Sequence, residues 1–136
     1  MSNKDRVLAI YEAFVRGDIN FILDQLADDI EWESWADNTA QKAGVSWLQP
    51  QKGREGAAEF FKIVETMGVN RFEVLSVLEG ENQVAAEIVV GCKYFLDEEM
   101  HLWNFNAEGK ITRLRHYTDT AKHIAGYENA ELSAAA

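Results

Sequence analysis

The chain is short of the residues that staple a small fold or break one. Of its 136 residues one is cysteine, Cys92, and one is proline, Pro50. A single thiol excludes an internal disulfide framework, and it leaves no Cys pairs for a structural zinc site. Cys92 reads as a small hydrophobe in an apolar strand. Histidine is also scarce. His101, His116 and His123 form no HExxH pattern, so the sequence supplies no metal motif. Bases are outnumbered, 13 Lys and Arg against 23 Asp and Glu, and the net charge of -10 repels phosphate backbones and anionic headgroups. Neither nucleic acid nor membrane is expected as a partner. No apolar run approaches the roughly 18 residues a spanning helix needs. The start, "MSNKDRVLAIYEAF", lacks the apolar core of a secretory signal, so a cytoplasmic location is expected. "GREG" is too short to cradle a phosphate, so no cofactor is expected, and no G-x-S-x-G elbow offers a nucleophilic serine.

What the chain does have is 47% hydrophobic residues, enough for one core. A Ser2/Asp5 capping box precedes Val7, Ile10, Tyr11 and Phe14 at helical spacing, and Gly17 ends the run. Asp18 caps a second helix through Ile19, Ile22, Leu23 and Leu26. "ADDIEWESW" then alternates like a strand, with Ile30, Trp32 and Ser34 on one side, and 36–52 reads as a loop holding Trp47, Leu48 and Pro50. "GREGAAEFFKIVETMG" sets Ala57, Phe60, Phe61 and Val64 on one helical face and closes with Gly68. Strand-like runs near 69–78, 83–95, 98–106 and 110–118 follow, separated by "EGEN", "LDEE" and "NAEGK". Helices first and an antiparallel meander after make an α+β fold. One domain spans 1–126, and 127–136 reads as a flexible tail.

The strings "YEAFVRGDINFILDQLADDIEW" at 11–32, "GREGAAEFF" at 53–61 and "WNFNAEGKITRLRHYTD" at 103–119 resemble the NTF2-like superfamily. The likeness is in particular to SnoaL-like polyketide cyclases and their ketosteroid-isomerase and limonene-epoxide-hydrolase relatives. The resemblance covers about residues 4–123. It implies a cone-shaped, cystatin-like fold, with three N-terminal helices on a curved, mostly antiparallel sheet. It also implies an apolar pocket on the concave face and a homodimer through the convex one. The motifs specify fold more than chemistry, because one scaffold hosts isomerases, cyclases, dehydratases and binding modules.

Carried over by position, His116 falls where the epoxide hydrolases hold a catalytic Asp, so the Thr112, Leu114, His116 and Thr118 face looks inward. The Ile111, Arg113, Arg115 and Tyr117 face then meets solvent or a second subunit. His101 falls where ketosteroid isomerases keep a carboxylic acid that donates to the oxyanion, and Tyr11 near the tyrosine for the same job. Ser34 replaces the isomerases' catalytic Asp. Ile88 and Val90 stand in for the hydrolases' third-strand Arg and Asp, and Trp32 and Ser34 for their Tyr and Asn.

His116 is the candidate acid or base, with His101 or Tyr11 as hydrogen-bond donor. Trp32, Ser34, Trp47, Phe14, Val90, Trp103 and Phe60 are the candidate ligand contacts, together the lining of a pocket for a flat hydrophobic molecule. The bland alternative for each histidine is a hydrogen-bonded core position. Glu31 and Glu33 share the face opposite Trp32 and read as a solvated edge. Asp119 is a weaker candidate for orienting His116. Cofactor-free proton transfer on a hydrophobic carbonyl compound is the leading function. A non-catalytic ligand carrier or sensor, and a dimerisation module with a filled cavity, stand beside it.

Overall fold

A computed structural model describes residues 1–34 and 37–135. The first residue of the expected 36–52 loop, Trp35 of the first strand-like run and the last residue of the expected tail lie outside the described residues. The helices are α1 (Asn3–Val15), α2 (Ile19–Asp24), the short α3 (Thr39–Lys42), α4 (Gly53–Glu65) and α5 (Thr120–Ala135). The strands are β1 (Leu26–Trp32), β2 (Gln51–Lys52), β3 (Arg71–Gly80), β4 (Gln83–Gly91), β5 (Leu96–Phe105) and β6 (Ile111–Tyr117).

Capping follows the sequence. Ser2 Oγ accepts from the Asp5 backbone N–H at 3.0 Å and Asp18 Oδ1 from that of Phe21 at 3.1 Å. Each bond satisfies one of the N–H groups a helix start leaves orphaned. Gly17 and Gly68 take the positive φ, 77° and 64°, with which each chain leaves its helix.

Six strands form one sheet in the order β2-β1-β6-β5-β4-β3. The meander β3 to β6 is antiparallel as expected, and β1 joins it in parallel beside β6. The main core lies between the concave sheet face and α1, α2 and α4, with Val7, Ile10, Ile22, Trp32, Ile88 and Leu114 at 0–2% exposure. Here is the α+β architecture of three helices on a curved, mostly antiparallel sheet.

Three local expectations change. β6 carries an irregularity between the pairs Asn104↔Arg113 and Phe105↔Ile111. The extra residue, Thr112, lets both Ile111 and Leu114 point into the core at 0% exposure, so Ile111 moves from the expected outer face to the inner one. "LDEE" is the start of β5 rather than a turn, and Asp97 and Glu99 continue the inward face of His101, Trp103 and Phe105. Residues 120–135 form α5, whose buried His123 and Gly126 close a second cluster around Ala40, Val45, Trp47, Leu48 and Met67. Gly126 permits the approach: a Cβ there would sit 3.0 Å from the Tyr94 carbonyl oxygen.

Candidate functional site

The concave face, α1 and α4 line a cavity of about 90 Å³. Tyr11, His101 and His116 line it, as do six of the seven expected contacts, Phe14, Trp32, Trp47, Phe60, Val90 and Trp103. Ser34 is the exception. β1 ends at Trp32, so its alternation does not carry on to Ser34, whose Oγ accepts from Arg115 Nε at 3.1 Å, the arginine of the outward face of β6. Glu99 and His123 line the cavity without having been expected there.

Glu33 is the largest departure. It is fully buried rather than on a solvated edge, and its φ is 60°. That left-handed residue breaks the strand parity and brings the carboxylate to the inner side of the sheet. There the carboxylate lies against Nδ1 of His116, and Oε2 accepts from the His116 backbone N–H at 3.4 Å. A carboxylate only accepts, so it fixes the ring hydrogen on Nδ1 and leaves Nε2 as the acceptor. Phe60 stacks on the same imidazole with centroids 5.4 Å apart. Burial, with the charge of His123 added, pushes the His116 pKa down to about 3. Glu33 acts in the opposite direction, favouring the imidazolium.

The remaining polar groups form one chain whose directions are set by donor chemistry. Indole N–H groups only donate. Trp103 Nε1 donates to the Tyr11 oxygen at 3.0 Å, and Tyr11 meets His101 Nδ1 at 2.9 Å. His101 Nε2 meets Glu99 Oε1 at 3.0 Å, and His123 Nε2 lies 3.0 Å from Glu99 Oε2 and 2.9 Å from Asp97 Oδ2. Trp47 Nε1 donates to His123 Nδ1 at 2.8 Å. With neutral histidines every bond in the chain has one donor: Tyr11 gives its proton to His101, which gives its own to Glu99. Burial pushes the Glu99 carboxyl up, but the hydrogen bonds and charges of His101 and His123 outweigh it and hold it at about 2. Burial pushes the Tyr11 phenol up, the Trp103 bond opposes, and the charge of Glu99 adds to the rise, so the phenol keeps its proton. Burial disfavours the His123 imidazolium, and the hydrogen bonds and charges of Asp97 and Glu99 more than offset that, raising its pKa.

Asp97, Glu99 and His123 carry metal-type ligand atoms within 4.8 Å of one another. A metal on His123 Nε2 would force the ring hydrogen to Nδ1, opposite the Trp47 N–H, donor against donor. The trio fits a hydrogen-bond node better than a metal centre. Asp119, weighed as a partner for His116, serves this node instead. Its backbone N–H donates to Asp97 Oδ2 at 3.2 Å, and its Oδ1 accepts from the Lys122 backbone N–H at 3.3 Å in the first turn of α5.

One wall residue carries a buried donor with no partner. Trp32 is 1% exposed, and its Nε1 is buried without an acceptor among the described residues. Leaving such a donor unmet costs about 1–3 kcal/mol.

Of the unexpected residues, Glu99 and Asp97 were within reach of sequence reasoning: stepping back by two from Phe105, Trp103 and His101 lands on both. Glu33 and His123 gave no such signal. Among the described residues no helix is long and apolar enough to cross a membrane.

A family model described as SnoaL-like domain matches residues 7–114. A comparison with curated proteins found no match. Solved structures match along nearly the whole chain. An NTF2-like protein of unknown function from Burkholderia pseudomallei is 22% identical, with 91% of this chain and 96% of that one covered and a TM-score of 0.70. TerC, co-crystallised with polyporic acid, is 24% identical, with 93% and 98% covered and a TM-score of 0.73. A steroid delta-isomerase from Pseudomonas aeruginosa is 13% identical, with 98% and 94% covered and a TM-score of 0.70. At these identities the likeness is one of fold. Fold and family model agree, and the chain belongs to the SnoaL-like domain family, built on the NTF2-like fold.

Proposed function

We propose that the protein catalyses cofactor-free proton transfer on a flat hydrophobic carbonyl compound, with His116 as the acid-base group and Glu33 as the residue that positions it. The observation that carries this reading is the buried Glu33 carboxylate against His116 Nδ1, on the wall of an otherwise apolar cavity. A carboxylate behind an imidazole fixes its tautomer and stabilises the imidazolium that forms when Nε2 takes a proton. In the reaction, the Nε2 lone pair takes a proton from the carbon next to the carbonyl. The C–H electron pair moves into an enolate, and the imidazolium returns the proton to this or another carbon. No oxidant or second substrate enters the balance.

Tyr11 and His101, the expected oxyanion donors, have a different part in this reading. Their protons are spent on one another and on Glu99, so they brace the wall. That spending of donors is what favours the second reading, a carrier or sensor that holds the same ligand and leaves it unchanged. The assembly belonging to the proposal is a homodimer through the convex sheet face. TerC was crystallised with polyporic acid, and an isomerase of steroids shares the fold, so compact ring systems with oxygens are the first compounds to test.

The experiment is hydrogen-deuterium exchange next to the carbonyl of 2-tetralone, followed by proton NMR in deuterated buffer. Exchange above the buffer rate with wild-type protein, lost in a folded His116→Gln variant, supports proton transfer. Saturable binding without added exchange would leave the carrier reading standing and remove the catalytic one.

A further inference from the structure

We infer that the Trp32 indole N–H is the group that takes the ligand's oxygen, which makes the ligand an acceptor-bearing ring compound such as a ketone or quinone. The inference rests on the carbonyl reading above and supplies its missing half, the donor.

The other side-chain N–H and O–H donors of the polar wall are already engaged. The Trp103 N–H goes to Tyr11, the Tyr11 proton to His101, the His101 Nε2 proton to Glu99, and the Trp47 N–H to His123. The His116 Nδ1 hydrogen is held against Glu33. Four buried polar side-chain atoms of the described residues lack a hydrogen bond, and two of them, Glu33 Oε1 and His116 Nδ1, face each other. Thr118 Oγ1 belongs to a residue that does not line the cavity. Trp32 Nε1 is left. It is a donor with nothing to accept its hydrogen, on a ring of the cavity wall, and a buried donor of this kind calls for an acceptor brought from outside.

Its neighbours suit the task. The Trp32 ring centroid is 6.0 Å from that of His116, 5.2 Å from Phe60 and 6.1 Å from Trp103. These rings give the cavity an apolar wall, and the Trp32 ring stands beside the one imidazole whose Nε2 is an acceptor. An oxygen at Trp32 brings the adjacent carbon toward His116, and negative charge growing on that oxygen meets the N–H. An unfilled donor also gives selectivity: a hydrocarbon of the same shape leaves it unpaired.

The test compares 2-tetralone with tetralin, which differ by the carbonyl oxygen, on wild-type and Trp32→Phe proteins by calorimetry. Trp32→Phe should weaken 2-tetralone by about tenfold and tetralin by no more than about twofold. In ¹⁵N-labelled wild-type protein the indole resonance that Trp32→Phe deletes should move with 2-tetralone and stay with tetralin, a readout that survives if the variant packs poorly. Equal losses for both compounds, or an indole resonance that ignores the ketone, overturn the inference. Discrimination by Trp32 with no deuterium exchange overturns only the catalytic reading. No binding of either compound by wild-type protein overturns both.

Discussion

Glu33 carries two costs at once. Its backbone sits in the left-handed region, worth about 1–2 kcal/mol against a non-glycine residue, and its carboxylate is fully buried. Costs of this kind persist where the surroundings hold them in place, and the return here is the contact with His116. A charge-removing change that keeps the shape separates positioning from packing. Glu33→Gln should leave the far-UV circular dichroism unchanged. It should lower wild-type-dependent deuterium exchange of 2-tetralone by about 10²- to 10⁴-fold, the range for losing the carboxylate behind a catalytic imidazole. It should also move the pH-rate midpoint down, since a group that favours the imidazolium is gone. An exchange rate within about threefold of wild type would show that His116 works without Glu33, if it works at all. Nothing in the local sequence announces this residue, because strand alternation assigns Glu33 to the outer face and one positive φ reverses the assignment.

At the scale of elements, the legible parts are those where one period runs unbroken. The capping of α1 and α2, the amphipathic α4 and the meander β3 to β6 follow from spacing, while the resemblance supplied which face of the meander carries His101, Trp103 and His116 to the cavity. What is illegible has a physical reason in each case. Acidic Asp97 and Glu99 mimic a turn because burying them depends, beside the nearby His101, on His123 and the Asp119 backbone, partners distant in sequence. In α5, "ENAELSAA" offers few apolar side chains, and the helix is held by His123, Gly126, Ile124 and Tyr127 at its start. On β6 the expected outward face holds for Arg113, Arg115 and Tyr117 and fails for Ile111. On the outer face of β5 and β6, Leu96, Met100 and Tyr117 expose 53%, 38% and 36% of their surface. Glu87 and Glu98 on one side of this patch and Arg113 and Arg115 on the other suit a two-fold pairing of opposite charges. For the proposed homodimer, Met100→Glu should convert a dimer to a monomer in light scattering at micromolar concentration while the melting curve stays cooperative. A monomeric wild-type protein would remove the dimer from the proposal.

For the molecule as a whole, the buried titratable groups decide how it meets acid. His116 has its pKa lowered from 6.5 to about 3, so between those pH values the unfolded chain binds a proton that the folded chain refuses. Glu99 is lowered from 4.5 to about 2, and the same inequality holds between 4.5 and 2. Both groups therefore stabilise the fold above their ordinary pKa and withdraw that stability as pH falls. His123 has the opposite sign: its raised pKa adds stability below about 6.5 that is lost as pH rises through the folded value. Protonating it also breaks the bond from Trp47, which needs a lone pair on Nδ1. Two groups against one leave the protein acid-labile. Each pH unit inside a single group's window is worth at most about 1.4 kcal/mol, and because the unfolded His116 is only partly protonated near pH 6, a loss of about 1 kcal/mol per unit is expected between pH 6 and 4.5. The loss should steepen below pH 4.5 as Glu99 joins. Urea unfolding at half-unit steps of pH measures it. His116→Gln should flatten the segment above pH 4.5, and Glu99→Gln the segment below. A stability that rises on acidification from pH 6.5 to 5 would mean that the Asp97, Glu99 and His123 node outweighs His116, and that Glu33 holds the His116 ring charged in the folded protein.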